Sequence, residues 1–232
     1  MPATIPVPLT DPPTARLPAI IAALASGNPA ATGRAVTALQ PLLRKVYDRG
    51  ESAWQAGAAA DFLAATLYAS PRHYLRLHAH APGALDSDLH THKGTVHSVL
   101  LSGALTNTTT APAVIARTGG LDVWQCTCRA DGTPTQHRTG FRALVDPVTI
   151  RADQLTAGQR FTVPPGQFHR LAISPDPTRP TVTLCLFDRV DPDAPDAYVL
   201  TNRPSPVLAD RDMTVTAART ALRRLLDAGP PA

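Results

Sequence analysis

Gly158, Pro164, Gly166 and His169 stand in the spacing G-x5-P-x-G-x2-H, and upstream His90, His92 and His97 stand in H-x-H-x4-H followed by Gly103. Successive side chains of a strand point to opposite faces. The H-x-H spacing therefore sets His90 and His92 side by side on one face, about 6.5 Å apart along the backbone. Two imidazoles so placed can share one metal ion. The Pro164-Pro165-Gly166 run is turn chemistry: proline fixes φ, glycine takes positive φ, and a reversal there aims His169 back at the pair. The sequence reads first as a metal site.

These residues resemble the two motifs of the cupin superfamily. The first, G-x5-H-x-H-x3-4-E-x6-G, is approximated by Gly83, His90, His92, His97 and Gly103, with one extra residue before His90 and one fewer before Gly103. The second, G-x5-P-x-G-x2-H-x3-N, is matched from Gly158 through His169, with Ile173 in place of the asparagine. The resemblance covers residues 74 to 188. It implies a mainly β fold, an antiparallel β-barrel of the double-stranded β-helix or jelly-roll type, with a metal in its mouth held by His90, His92 and His169. His97 replaces the family's glutamate, which leaves the full charge of a divalent ion for an anionic substrate to neutralise. At that spacing His97 is expected as a metal ligand or as a hydrogen-bonding neighbour of one; the alternative is a core-lining histidine beside a three-histidine site.

Imidazole suits several divalent ions, so ligand type alone does not select one. Fe(II) is the favoured ion, with Zn, Ni, Mn and Cu as alternatives. Three protein ligands would leave up to three octahedral positions for a chelating substrate and O2; four would leave two. Within the cupins the region resembles the thiol dioxygenases, the cysteine dioxygenase-like group. The run from His90 to Leu105 is similar to that group's H-x-H segment and following L-x-G-x-L, and His169 to Ile173 with Val182 to Phe187 is similar to its last ligand and next strand. There the chain departs from the group, because the positions of a histidine and a tyrosine are held by Cys185 and Phe187. A cysteine–tyrosine thioether has no tyrosine here, so the resemblance supports metal-plus-O2 chemistry better than it supports cysteine as the substrate.

Composition is compatible with this. A chain of 232 residues can bury a core without disulfides. Its three cysteines, with Cys126 and Cys128 one residue apart, make no disulfide framework and fit a reducing, cytoplasmic compartment. On an alternating strand those two read as small buried residues rather than metal ligands. The net charge is +4, but the arginines are scattered and no aromatic platform interleaves with them, so nucleic-acid binding is not supported. Arg219 and Arg223, four residues apart near the C-terminus, fit one solvated helix face. The apolar run Leu17 to Ala25 falls far short of the ~20 residues that span a bilayer, and no membrane role is expected.

Three parts are expected along the chain: an N-terminal helical extension over 1–70, a barrel over 71–190, and an irregular segment with a helix over 191–232. Met1 to Pro13 reads as irregular. Helices are expected at Leu17–Ala25, Pro29–Arg49 and Ser52–Tyr68, with Gly27-Asn28 and Gly50 as breakers, and again from Thr214 to Leu226. This layer would cover the barrel's outer face or form a homodimer contact. Strands are expected at Tyr74–His80, Val123–Cys128, Phe141–Leu144, Val148–Ile150, Phe161–Val163 and Val182–Phe187. The stretch from Thr106 to Gln136 reads as a long connection holding one strand.

Two questions of facing bear on function. Tyr74 to His80 alternates, and the commoner pattern puts the leucines inside and Arg76, His78 and His80 on the surface. With the opposite facing, Arg76 could bind a substrate carboxylate through two parallel hydrogen bonds. On the strand near Cys185, the resemblance turns Thr181, Thr183, Cys185 and Phe187 toward the metal. A cavity walled by Cys185 and Phe187, with Phe161 and Phe168, suits a compact anionic chelator such as a thiol acid, β-diketone or hydroxy acid. His137, Tyr198 and Trp124 read as structural. The leading expectation is a metal-dependent dioxygenase taking a small-molecule substrate and O2. Two others stand beside it: a non-redox cupin whose ion acts as a Lewis acid in an isomerisation, cyclisation or elimination, and a ligand-binding or sensory module.

Overall fold

The computed structural model describes residues 16–56, 62–70, 72–80, 88–111, 115–116, 121–128, 134–143, 148–176, 180–188, 197–201 and 215–228. Among the described residues three helices come first: α1 (Leu17–Ala25), α2 (Pro29–Ala38) and α3 (Gln40–Arg49). The strands among the described residues follow: β1 (Gln55–Ala56), β2 (Phe62–Ala69), β3 (His73–His80), β4 (Leu89–His90), β5 (Val96–Ser102), β6 (Ala104–Thr110), β7 (Ile115–Ala116), β8 (Leu121–Cys128), β9 (Pro134–Ala143), β10 (Thr149–Thr156), β11 (Arg160–Val163), β12 (His169–Ile173), β13 (Thr181–Asp188) and β14 (Ala197–Thr201). Helix α4 (Val215–Ala228) ends the described chain. The architecture is mainly β, with two antiparallel sheets and helices at both ends, as expected of a double-stranded β-helix.

One sheet has the order β1-β2-β3-β13-β5-β11 and the other β10-β6-β12-β4-β14-β8-β9-β7. Their inner faces pack together: Leu100 of the first sheet meets Leu105, Leu155 and Ile173 of the second. A bond from Thr181 Oγ1 to the Ala104 carbonyl (3.0 Å) ties β13 to β6.

The helical layer covers the opposite face of the six-stranded sheet. Its apolar residues Leu24, Val36, Leu39, Leu43, Val46 and Leu222 form one core with Leu63, Leu67, Leu75, Leu77, Val99, Leu184 and Leu186. Among the described residues no helix is long and apolar enough to cross a membrane.

Several expected elements are revised. Pro29–Arg49 is two helices rather than one, divided at Leu39 just before Pro41, whose ring and missing N–H break a continuous ladder. Asn28 caps the first of them, its side chain accepting from the Ala31 N–H at 3.1 Å. Ser52–Tyr68 is not helical: a short 3-10 turn over Gly50–Ala53 precedes β1 and β2. Leu63, Ala65 and Leu67 sit at alternate positions facing the helices, so a period of two, not 3.6, carries burial there. The connection after Thr106 holds more strand than expected, with β6, β7, β8 and the start of β9, and β14 was not anticipated. Met1 to Pro13 and Gly83 lie outside the described residues, as do the side chains of Trp124, Cys126, Cys128 and His137.

The facing of β3 is also revised. Leu75 and Leu77, both 0% exposed, point at the helices, while Arg76 and His78 share the opposite face with Cys185 across the strand pair. The helical layer turns what would be the solvent side into the deepest core, which inverts the usual apolar-inside rule. Leu184 sits in the middle of that core. We expect Leu184→Ala to cost about 3 kcal/mol of unfolding free energy in urea denaturation.

Candidate metal centre

His90 ends β4, His92 follows two residues later, and His169 opens β12 directly opposite His90 in the antiparallel register. The turn before His169 is closed by the Gln167 N–H on the Pro164 carbonyl (3.2 Å), with Gly166 at φ 71°. The Gly166 N–H donates to the His92 carbonyl at 3.0 Å, so the second motif's turn is fastened onto the first motif's histidine. From the other side β14 holds the intervening Thr91: its N–H donates to the Tyr198 carbonyl and its Oγ1 accepts from the Tyr198 N–H, each at 2.9 Å. Both bonds use the Tyr198 backbone, and its side chain packs with Phe168 and Leu200.

One ring nitrogen from each of His90, His92 and His169 lies within 4.8 Å of the other two. Backbone and side-chain acceptors orient the rings. His90 Nδ1–H donates to the Asp88 carbonyl at 2.8 Å, and His169 Nδ1–H donates to Asn107 Oδ1 at 3.0 Å. Each bond fixes the proton on Nδ1 and leaves the Nε2 lone pair for a cation. His92 Nε2 and His169 Nε2 are 3.0 Å apart. Ligand nitrogens about 2.1 Å from one ion and at right angles lie about 3.0 Å apart, so this pair matches adjacent corners of an octahedron. Between two such nitrogens a shared proton or a metal ion must stand. The three histidines could therefore hold a metal ion.

Electrostatics favour the neutral, metal-ready form. Burial pushes all three imidazoles below their ordinary pKa, most strongly for His92 and His169, where the neighbouring histidines add to the effect.

His97 stands apart from this group. Val96, Ser98 and Leu100 share the interior face of β5 with Cys185, whereas His97, Val99 and Leu101 take the other face. Its Nδ1 lies 3.2 Å from Thr162 Oγ1 and its Nε2 3.5 Å from Asp188 Oδ2. The other oxygen of Asp188 lies 3.5 Å from His73 Nε2.

Toward the six-stranded sheet the triad meets Phe187, whose ring is 5.8 Å from that of His92. Phe187 and Phe161 pack with Val96, Val163 and Cys185. Phe168 does not join this wall; it packs instead with Leu200, Leu89 and Tyr198. Arg76 lies on the same face as Cys185, its guanidinium 5.3 Å from the Tyr74 ring centroid. Two residues here carry no motif signal. Asn107 shows itself only as a buried amide, 2% exposed, in a run of threonines. His78, a surface group under the commoner facing of its strand, instead lies 5.8 Å from Phe187, ring to ring.

No family model matches the chain, and no curated protein matches it. Solved structures similar to it include a cupin superfamily protein from Desulfitobacterium hafniense, 14% identical over 56% of this chain and 78% of that one, with a TM-score of 0.35. An RmlC-like cupin from Shewanella frigidimarina is 15% identical over 60% and 88%, at 0.34. The polyketide cyclase RemF from Streptomyces resistomycificus is 14% identical over 61% and 80%, at 0.35.

The buried histidines make stability depend on pH. His80, whose Nε2 has no hydrogen-bond partner among the described residues, is lowered by burial to about 4. Between about 6.5 and 4 the unfolded chain binds a proton at such a residue and the folded chain does not, so stability falls as pH falls through that window. For the metal-free protein we expect urea midpoints to drop steadily across it. His80→Leu should remove on the order of 3 kcal/mol of that pH dependence while leaving stability at pH 7.5 equal or higher.

Proposed function

We propose that the protein is a non-haem, metal-dependent dioxygenase of the cupin type that acts on a small anionic chelating molecule with O2. His90, His92 and His169 are its metal ligands and Fe(II) its favoured ion. The supporting observation is the convergence of three neutral imidazoles within 4.8 Å, two of them oriented by acceptors on their far side. When bound, the ion supplies a positive centre at which an anionic chelator and O2 are held side by side. Three neutral ligands leave its charge uncompensated, which favours an anion as the remaining partner.

The chain's own residues divide the remaining work. Arg76, on the face shared with Cys185, is suited to bind a substrate carboxylate through two parallel N–H groups. Phe187 and Phe161 form an apolar wall that excludes water and strengthens every charge interaction inside it. Cys185, buried and held as a thiol, lines the same wall without adding charge. His97, engaged with Thr162 and Asp188, is not required for metal binding in this proposal.

Protein loaded anaerobically with Fe(II) should consume O2 when offered small thiol acids, β-diketones or hydroxy acids, followed with an oxygen electrode. His169→Ala should weaken iron binding on the order of 100-fold or more and abolish uptake, whereas His97→Ala keeps the iron. Uptake that survives His169→Ala overturns the proposal. Turnover of an anionic chelator without O2 would replace it with the Lewis-acid reading.

A further inference from the structure

His78 sits on the wall that faces the three histidines, and the motifs assign it no role. Its ring is held on two sides: it stacks on Phe62 at 4.3 Å and 22°, and lies 5.8 Å from Phe187, the same ring that lies 5.8 Å from His92. His78 is therefore at most twice that distance from His92, ring centre to ring centre. The fields of His90 and His92 reach it, together with those of His80 and Arg76.

The two ring nitrogens have different surroundings. Nδ1 lies 3.6 Å from Cys185 Sγ. That sulfur accepts from Ser98 Oγ–H at 3.4 Å and lies 3.4 Å from Thr183 Oγ1. Burial pushes the Cys185 thiol up from its ordinary range, so it keeps its proton, and the imidazole nitrogen is the strongest acceptor beside it. A thiol donating to Nδ1 fixes the His78 proton on Nε2. Nε2 is buried with no hydrogen-bond partner among the described residues. An unpartnered buried N–H is destabilising, and a ligand oxygen accepting from it would remove that cost.

We propose that His78, fixed by Cys185 as the Nε2–H tautomer, donates a hydrogen bond to an oxygen of the small anion seated at the three-histidine centre. This rests on the metal-binding reading above and extends it: the favoured ligands are oxyanions, carboxylates, enolates or hydroxamates, that engage the ion at one end and His78 at the other. Cys185 is a positioning residue acting through His78, with Ser98 and Thr183 behind it. Arg76, on the same strand and face, adds positive charge beside the same oxyanion.

The test uses the full chain loaded with Co(II), whose visible absorption reports changes at the ion without turnover, titrated with acetohydroxamate. His78→Phe should raise the acetohydroxamate dissociation constant on the order of tenfold or more and leave cobalt affinity unchanged. His78→Gln, whose amide N–H stands near the position of Nε2–H, should bind within about threefold of wild type. Equal acetohydroxamate affinity in wild type and both variants overturns the role of His78 while leaving the metal centre intact. Failure of wild type to bind cobalt, or cobalt binding that survives His169→Ala, overturns the metal reading and this inference with it.

Discussion

Strand β13 presents two faces to two different environments, and the rest of the molecule depends on keeping them apart. One face, Val182, Leu184 and Leu186, is sealed under the helical layer; the other, Thr181, Thr183, Cys185 and Phe187, looks into the space between the sheets. A slip of one residue in register would exchange the two sets. It would carry Leu184 into a polar interior and Cys185 under the helices. The flanking strands keep the same parity: Arg76 and Ser98 accompany Cys185, and Leu75, Leu77, Val99 and Leu101 accompany the leucines. The large apolar core lies outside the barrel, leaving the inside available for polar chemistry.

That division explains how several histidines can be buried in one region. A buried imidazole loses little if it stays neutral, and desolvation keeps these neutral. Neutral imidazoles are what a divalent cation needs. The cost falls on nitrogens left without partners, and the structure removes part of it by giving His90 and His169 fixed acceptors in Asp88 and Asn107. Nε2 of His78 and Nε2 of His80 are left without a partner among the described residues. Buried donors without partners in a preformed site mark the positions where a bound species would complete the bonding.

The sequence made the three-histidine cluster legible because its logic is local. The H-x-H spacing keeps the His90 and His92 rings close, 4.9 Å apart, although β4 ends at His90, and Pro164-Pro165-Gly166 announces the reversal that brings His169 to them. Helix α1 was legible for the same reason, since Leu17, Ile20 and Leu24 repeat on one side. What was not legible is which face of an alternating strand looks inward. Tyr74 to His80 alternates under either assignment, and only the helices packed outside decide it. His97 follows the motif's spacing, yet the residues between His92 and β5 reset the alternation, so spacing alone could not place its ring. Phe62 to Tyr68 misleads as a helix because apolar residues on a strand flanked by helices and strands carry both periods. Asn107 and His78 are placed by contacts with neighbouring strands far away in sequence, which no spacing along the chain encodes.

The central claim is that His90, His92 and His169 converge on one ion. X-ray absorption at the metal edge of protein loaded with Fe(II) or Zn(II) tests it most directly. The account predicts about three imidazole nitrogens around the metal at ~2.0–2.2 Å, and about one fewer in His90→Ala. A coordination shell of oxygen alone, or imidazole scattering unchanged in His90→Ala, would contradict it.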